Sequence, residues 1–197
     1  VGDETTRDCI IIDPSDNAPR LLEVVKSEDW TLREIWITHA HFDHILALRD
    51  LKAANHVPAR MHPADLPILE ALSETVRRFG LSDVPPAPKP EIDLHSGDTL
   101  ELGAERFEVR HVPGHAPGHV IFINHARQVV FDGDTIFQGS VGRTDLPYGD
   151  HATLMEAIQT QILSLPDEYV LLPGHGDQTT IGDEKANNPF VVDWLER

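Results

Sequence analysis

The order of apolar runs along the 197 residues predicts an α/β fold. In the first half, β-branched runs alternate with stretches of helical spacing, which implies a sheet with helices packed on it. After Gly97-Asp98 four short strands follow one another before helical spacing returns. An apolar fraction of 40% over this length is ordinary for a globular chain and allows a substantial core, so residues 1–197 are expected to form a single domain.

Cys9-Ile10-Ile11-Ile12 reads as a buried strand ending in the turn formers Asp13-Pro14-Ser15-Asp16-Asn17. Leu21, Leu22, Val24 and Val25 give an apolar face to a helix over residues 18–29, and residues 35–38 form the next strand. From Asp43 onward Ile45, Leu46, Leu48, Leu51 and Ala54 recur at helical spacing, with Asp43 placed to favour the helix dipole. A short strand over Val57–Met61 leads to a helix opened by His62-Pro63-Ala64-Asp65 and carried by Leu66, Leu69, Leu72 and Val76 towards Gly80. Residues 81–91, with Pro85, Pro86, Pro88 and Pro90, form a proline-stiffened excursion. The strands of the second half are Thr99–Leu102, Arg106–Val112, His119–Ile123 and Gln128–Phe131. Leu154, Ala157, Ile158, Ile162 and Leu165 then mark a helix, Tyr169–Leu172 a last strand, and the tail around Asn187-Asn188-Pro189-Phe190 and Trp194 a short docked helix.

The formal charge of −17 argues against a nucleic-acid backbone or an anionic membrane as the main partner. With four lysines and twelve arginines, any anionic substrate must be drawn in by a local cation. The single cysteine, Cys9, excludes an internal disulfide and fits a reducing cytoplasm. No run of about 18 apolar residues is present to span a membrane.

Thr38-His39-Ala40-His41-Phe42-Asp43-His44 packs three imidazoles and a carboxylate into seven residues at the end of a strand. That is the composition of a transition-metal site. His39 and His41 would point the same way from extended backbone, whereas Asp43 and His44 begin a helix and point elsewhere, so two adjacent metals could use both pairs. Three later loops each follow an apolar strand: Pro113-Gly114-His115-Ala116-Pro117-Gly118-His119, Asp132-Gly133-Asp134 and Pro173-Gly174-His175-Gly176. Spacing alone does not choose between Asp132 and Asp134, or among His111, His115 and His119. His56, His62, His95, His125 and His151 fall outside these loops and are assigned surface or capping roles. Gly114, Gly118, Gly133, Gly174 and Gly176 read as turn residues that let backbone approach the metals.

The pattern HxHxDH, PGHxPGH, GDTxF and GHG in this order resembles the metallo-β-lactamase superfamily. Gly133-Asp134-Thr135-Ile136-Phe137 and Gly142-Arg143-Thr144-Asp145 resemble its short glyoxalase II-like branch, which resembles hydroxyacylglutathione hydrolases. The resemblance implies a four-layer αβ/βα sandwich. It implies His39, His41 and His115 on one metal, Asp43, His44 and His175 on a second, and Asp134 as the bridge, with His119 in support. The ions are expected to be two divalent metals, zinc first, with iron or manganese as alternatives. Two such ions among five neutral imidazoles and two carboxylates keep a net charge of about +2, so the centre stays electrophilic in an acidic protein.

The implied reaction is hydrolysis of a hydroxyacylglutathione-type small-molecule thioester by a hydroxide bridging the two ions, with Asp43 orienting it and Arg143 meeting a substrate carboxylate; a structural role for Arg143 would be an ion pair with Asp145. The alternatives are a persulfide dioxygenase-like oxidoreductase, with one iron on His39, His115 and Asp134, and a hydrolase of another ester, thioester or lactam. Ile45-Leu46-Ala47 stands where the family usually has small glycines.

Overall fold

The computed structural model describes residues 1–81 and 84–197. Residues 82 and 83, in the proline-stiffened excursion, lie outside the described residues. The chain divides into two compact units, residues 1–94 with 101–105, and residues 95–100 with 106–197.

The first unit contains β1 (Gly2–Asp3), β2 (Asp8–Ile12), α1 (Ala18–Ser27), β3 (Thr31–Trp36), α2 (Phe42–Ile45), α3 (Leu48–Asn55), β4 (Ala59–Met61), a 3-10 turn (Pro63–Asp65), α4 (Leu66–Glu70), α5 (Leu72–Arg78) and β5 (Ile92–Asp93). Its sheet runs β1-β2-β3-β4-β5, antiparallel between β1 and β2 and parallel across the rest. Ile35, Trp36, Ile37, Leu48 and Leu51 have no exposed surface, and burial of each stabilises the unit by about 1.5–3 kcal/mol. Asn17 starts α1 by accepting from the Arg20 N–H.

Two expected helices are each broken. After the histidine motif the helix stops at Ile45 and restarts at Leu48, because the Ala47 N–H bonds to the Pro14 carbonyl at 3.0 Å instead of continuing the helical ladder. The helix expected from His62 is likewise split into the 3-10 turn, α4 and α5. His62 fills the capping role, its Nδ1 accepting from the Ala64 N–H at 3.2 Å. One register decides the placement of the site: Ile12 pairs with Trp36, and the Asp13 N–H bonds to the Trp36 carbonyl at 3.0 Å. The chain leaving β2 therefore runs beside the chain leaving β3.

Beyond residue 94 follow β6 (Thr99–Leu102), β7 (Glu105–His111), β8 (Val120–Asn124), β9 (Val129–Gly133), the short strands β10 (Ile136–Phe137) and β11 (Ser140–Val141), α6 (His151–Ala157) continued by a π turn (Ile158–Ile162), β12 (Val170–Pro173), β13 (Thr179–Thr180), α7 (Ile181–Asn187) and α8 (Pro189–Leu195). The six-stranded sheet has the order β13-β12-β9-β8-β7-β6, and β10 and β11 form a separate hairpin. Every residue of β8 is buried, which explains its unbroken Val-Ile-Phe-Ile run. The core of this unit gathers Ile121, Ile123, Leu154, Ile158 and Leu171. β9 and β12 are parallel, with Phe131 opposite Leu172 and Gly133 opposite Pro173, and the Gly174 N–H bonds to the Gly133 carbonyl at 2.8 Å. The loops carrying Asp134 and His175 thus leave the sheet side by side. Among the described residues, no helix is long and apolar enough to cross a membrane.

Candidate metal centre

In the first unit the motif between β3 and α2 gathers its imidazoles. The His39 ring lies 4.8 Å from that of His41 and 4.1 Å from that of His44, centroid to centroid. His39 and His44 are buried, while His41 and Asp43 are half-buried. Asp13, at the end of β2, organises this group. Its Oδ1 accepts the Thr38 N–H at 2.7 Å, and its Oδ2 accepts the Thr38 hydroxyl at 2.5 Å and His44 Nδ1 at 3.0 Å.

These bonds fix two tautomers. The carboxylate requires a proton on His44 Nδ1. The Thr38 hydroxyl spends its single proton on Asp13, so it accepts from His39 Nδ1 at 3.0 Å. Both rings then present Nε2 as the lone-pair nitrogen, the form a metal needs. Asp65, fully buried, accepts the N–H of Ala40 at 2.8 Å and fixes the backbone between His39 and His41.

In the second unit His115 is set the same way. Its Nδ1 donates to the Arg143 carbonyl at 2.7 Å, and its Nε2 lies 3.6 Å from Asp134 Oδ2. His175 Nε2 lies 3.7 Å from the same oxygen. Both separations exceed a hydrogen bond. They match the spacing of about 3.4 Å between two donors that share a tetrahedral ion at about 2.1 Å. The residues present fit a metal on this count, and Asp134 Oδ2 stands between two histidines as a bridging oxygen would.

The competing residues are otherwise engaged. His119 Nε2 accepts the Asp134 N–H at 3.0 Å, and His111 Nε2 donates to the Pro117 carbonyl at 2.8 Å. Asp132 is fully buried within β9, and burial, with the Asp134 charge adding to it, pushes its carboxyl well above the usual range. The Arg143 guanidinium is paired with Asp145, Nε to Oδ1 at 2.7 Å and Nη2 to Oδ2 at 2.8 Å. This pair holds the Asp145 carboxyl down at about 2.

Asp13, Asp65 and Gly142 take parts in the site that the sequence alone does not show. A Cβ at Gly142 would sit 2.0 Å from the Asp134 carbonyl oxygen and 3.2 Å from His115 Nδ1, so this is the glycine that lets backbone close on the candidate ligands. Gly114, expected in that role, instead makes room for Leu154, whose backbone nitrogen would lie 2.3 Å from an added Cβ.

Imidazoles whose Nδ1 is engaged by protein acceptors, on loops leaving the ends of strands, define a protein built to bind a metal. The model of the metallo-β-lactamase superfamily matches residues 3–175, and the chain belongs to that superfamily. It is 39% identical over 188 residues to hydroxyacylglutathione hydrolase GloC of Haemophilus influenzae, covering 94% of this chain and 88% of the relative. The BLEG-1 B3 metallo-β-lactamase superimposes with a TM-score of 0.88 at 36% identity, over 97% of this chain and 91% of the other. TTHA1623, solved in a di-iron-bound form, does so with a TM-score of 0.84 at 42% identity, over 91% and 87%. The α/β fold of the metallo-β-lactamase type expected from the sequence is thereby borne out.

Proposed function

We propose that this metallo-hydrolase is a thioesterase for hydroxyacylglutathione-type substrates, working on two divalent metal ions. The observation that carries the two-metal reading is Asp134 Oδ2, 3.6 Å from His115 Nε2 and 3.7 Å from His175 Nε2. His39, His41 and His115 would hold one ion, Asp43, His44 and His175 the other, and Asp134 would join them. Zinc suits this nitrogen-rich set, and the di-iron form of TTHA1623 shows that a relative accepts iron. The match over residues 3–175 runs through both compact units, which supports a single working domain. The proposed setting is the cytoplasm, where the one buried cysteine, Cys9, stays reduced.

Bound ions of this kind supply an activated water near neutral pH and positive charge for a developing oxyanion. The chain's own residues do the rest. Asp13, through Thr38 and His44, keeps two imidazoles in the ligand tautomer. The Arg143 carbonyl does so for His115. Asp43, in the first turn of α2, would orient the attacking water. The Arg143 side chain would meet a substrate carboxylate in competition with Asp145. The thioester is chosen over other acyl substrates by the likeness to GloC.

The test is hydrolysis of S-lactoylglutathione, followed together with oxygen uptake on glutathione persulfide. Thioester cleavage without oxygen uptake is expected, and His39→Ala should lower the metal content and abolish turnover. Oxygen consumption by a protein holding a single iron would establish the dioxygenase reading in its place.

A further inference from the structure

Glu184 is 3% exposed, lies in α7 and takes no part in the chemistry above. It also lies beyond residue 175, where the match to the superfamily ends. Burying a carboxylate is costly unless donors replace the lost water, and here three do. The Thr179 hydroxyl donates to Oε1 at 2.6 Å, while the Gly139 N–H and Asn188 Nδ2 donate to Oε2 at 2.9 and 2.8 Å. Asn188, fully buried, also donates from Nδ2 to the carbonyl oxygens of Ser140 at 2.8 Å and Phe137 at 3.3 Å.

These bonds grip the β10–β11 hairpin at its turn and on both strands. The hairpin is the stretch of chain between Asp134 and Arg143. At its base the Gly142 N–H closes on the Thr135 carbonyl at 3.0 Å, and the next residue's carbonyl accepts His115 Nδ1 at 2.7 Å. The base has no slack, since even a methyl group on Gly142 would collide with the Asp134 carbonyl oxygen. A shift of the hairpin would therefore move the Asp134 backbone and rotate His115 together.

We propose that Glu184 and Asn188 are positioning residues, a latch that acts through the β10–β11 hairpin to set the placement of Asp134 and His115 and so the metal affinity. This rests on the ligand assignment of the proposed function. Outer partners of ligands change metal affinity by about 10–100-fold when removed, and the latch acts on two ligands at once.

The experiment uses the full chain, with zinc affinity measured by chelator competition and ligand geometry read from the visible spectrum of the cobalt(II)-substituted protein. Glu184→Ala should weaken zinc binding about tenfold or more and alter the cobalt spectrum. Glu184→Gln should restore both, because its amide oxygen can accept from Gly139 and Asn188 while its NH2 donates to Thr179 Oγ1. Asn188→Ser keeps an oxygen for the Phe190 N–H that caps α8 but cannot span the hairpin carbonyls. It should behave like Glu184→Ala, and it carries the test if that variant does not fold. Wild-type zinc affinity and cobalt spectrum in these variants, whatever their melting temperatures, would overturn the latch. His115→Ala is measured alongside: retention of both ions there would overturn the ligand assignment, whereas loss there with unchanged latch variants would overturn the latch alone.

Discussion

Asp13 sits at a position of positive φ, 48°, at the end of β2, and each of its oxygens has work in the site. One takes the Thr38 amide, and the other takes the Thr38 hydroxyl and His44 Nδ1, so a single carboxylate decides which nitrogen two imidazoles present. Asp13→Asn keeps the shape but turns an NH2 towards two donors, which forces His44 to change tautomer or lose its partner. We expect zinc affinity to fall about 10–100-fold with the fold retained, measured by chelator competition. An unchanged affinity would show that His44 needs no such partner. The ligand candidates themselves were legible, because His39, His41, Asp43 and His44 share one short motif. Asp13 was not, since its partners Thr38 and His44 lie 25 and 31 residues away and only the parallel register of β2 and β3 brings them together. Arg143 was singled out for its guanidinium, whereas the structure uses its carbonyl on His115 and pairs the guanidinium with Asp145.

Elements long enough to show a period were read well. β6 has the bounds expected from its alternation, with Leu100 and Leu102 buried and Thr99 and Glu101 exposed. The two-residue strands β1, β5, β10, β11 and β13 were missed, because two residues cannot display a period of two. The helix after the motif was drawn too long, since the Pro14 carbonyl that interrupts it belongs to a distant turn. Between elements, Glu34 of β3 binds Arg60 of β4 through two bonds at 2.7 and 2.8 Å and accepts Trp36 Nε1 at 2.7 Å. Burial works to raise the Glu34 carboxyl, but the bonds from Arg60 and Trp36 outweigh it and hold it below the ordinary value. A depressed carboxyl contributes stability that is present above its unfolded value, about 4.3, and lost as pH falls through the folded one. Glu34→Gln should cost about 1–2 kcal/mol at neutral pH. Its Tm deficit relative to the wild type should shrink below pH 4; a deficit independent of pH would remove the charge from the explanation.

At the scale of the molecule, the order of four loop motifs carried the family and the fold class, because each motif follows a strand and strand ends are where such loops converge. What the order did not carry is how the acidic surface bears on catalysis. With a formal charge of −17 over the chain, a glutathione thioester, carrying two carboxylates against one ammonium, would approach against a repulsive field. Added salt screens that field over about 10 Å at 0.1 M. The value of kcat/KM for S-lactoylglutathione should therefore rise with ionic strength. A fall would mean that local cations, Arg143 first among them, dominate the encounter despite the pairing with Asp145.

The most direct measurement is a metal count: elemental analysis of the purified chain, with zinc titrated into the chelator-stripped protein. Close to two ions per chain are expected, falling in His39→Ala together with thioesterase activity. One ion per chain at full activity, with His44→Ala and His175→Ala unaffected, would contradict a dinuclear centre.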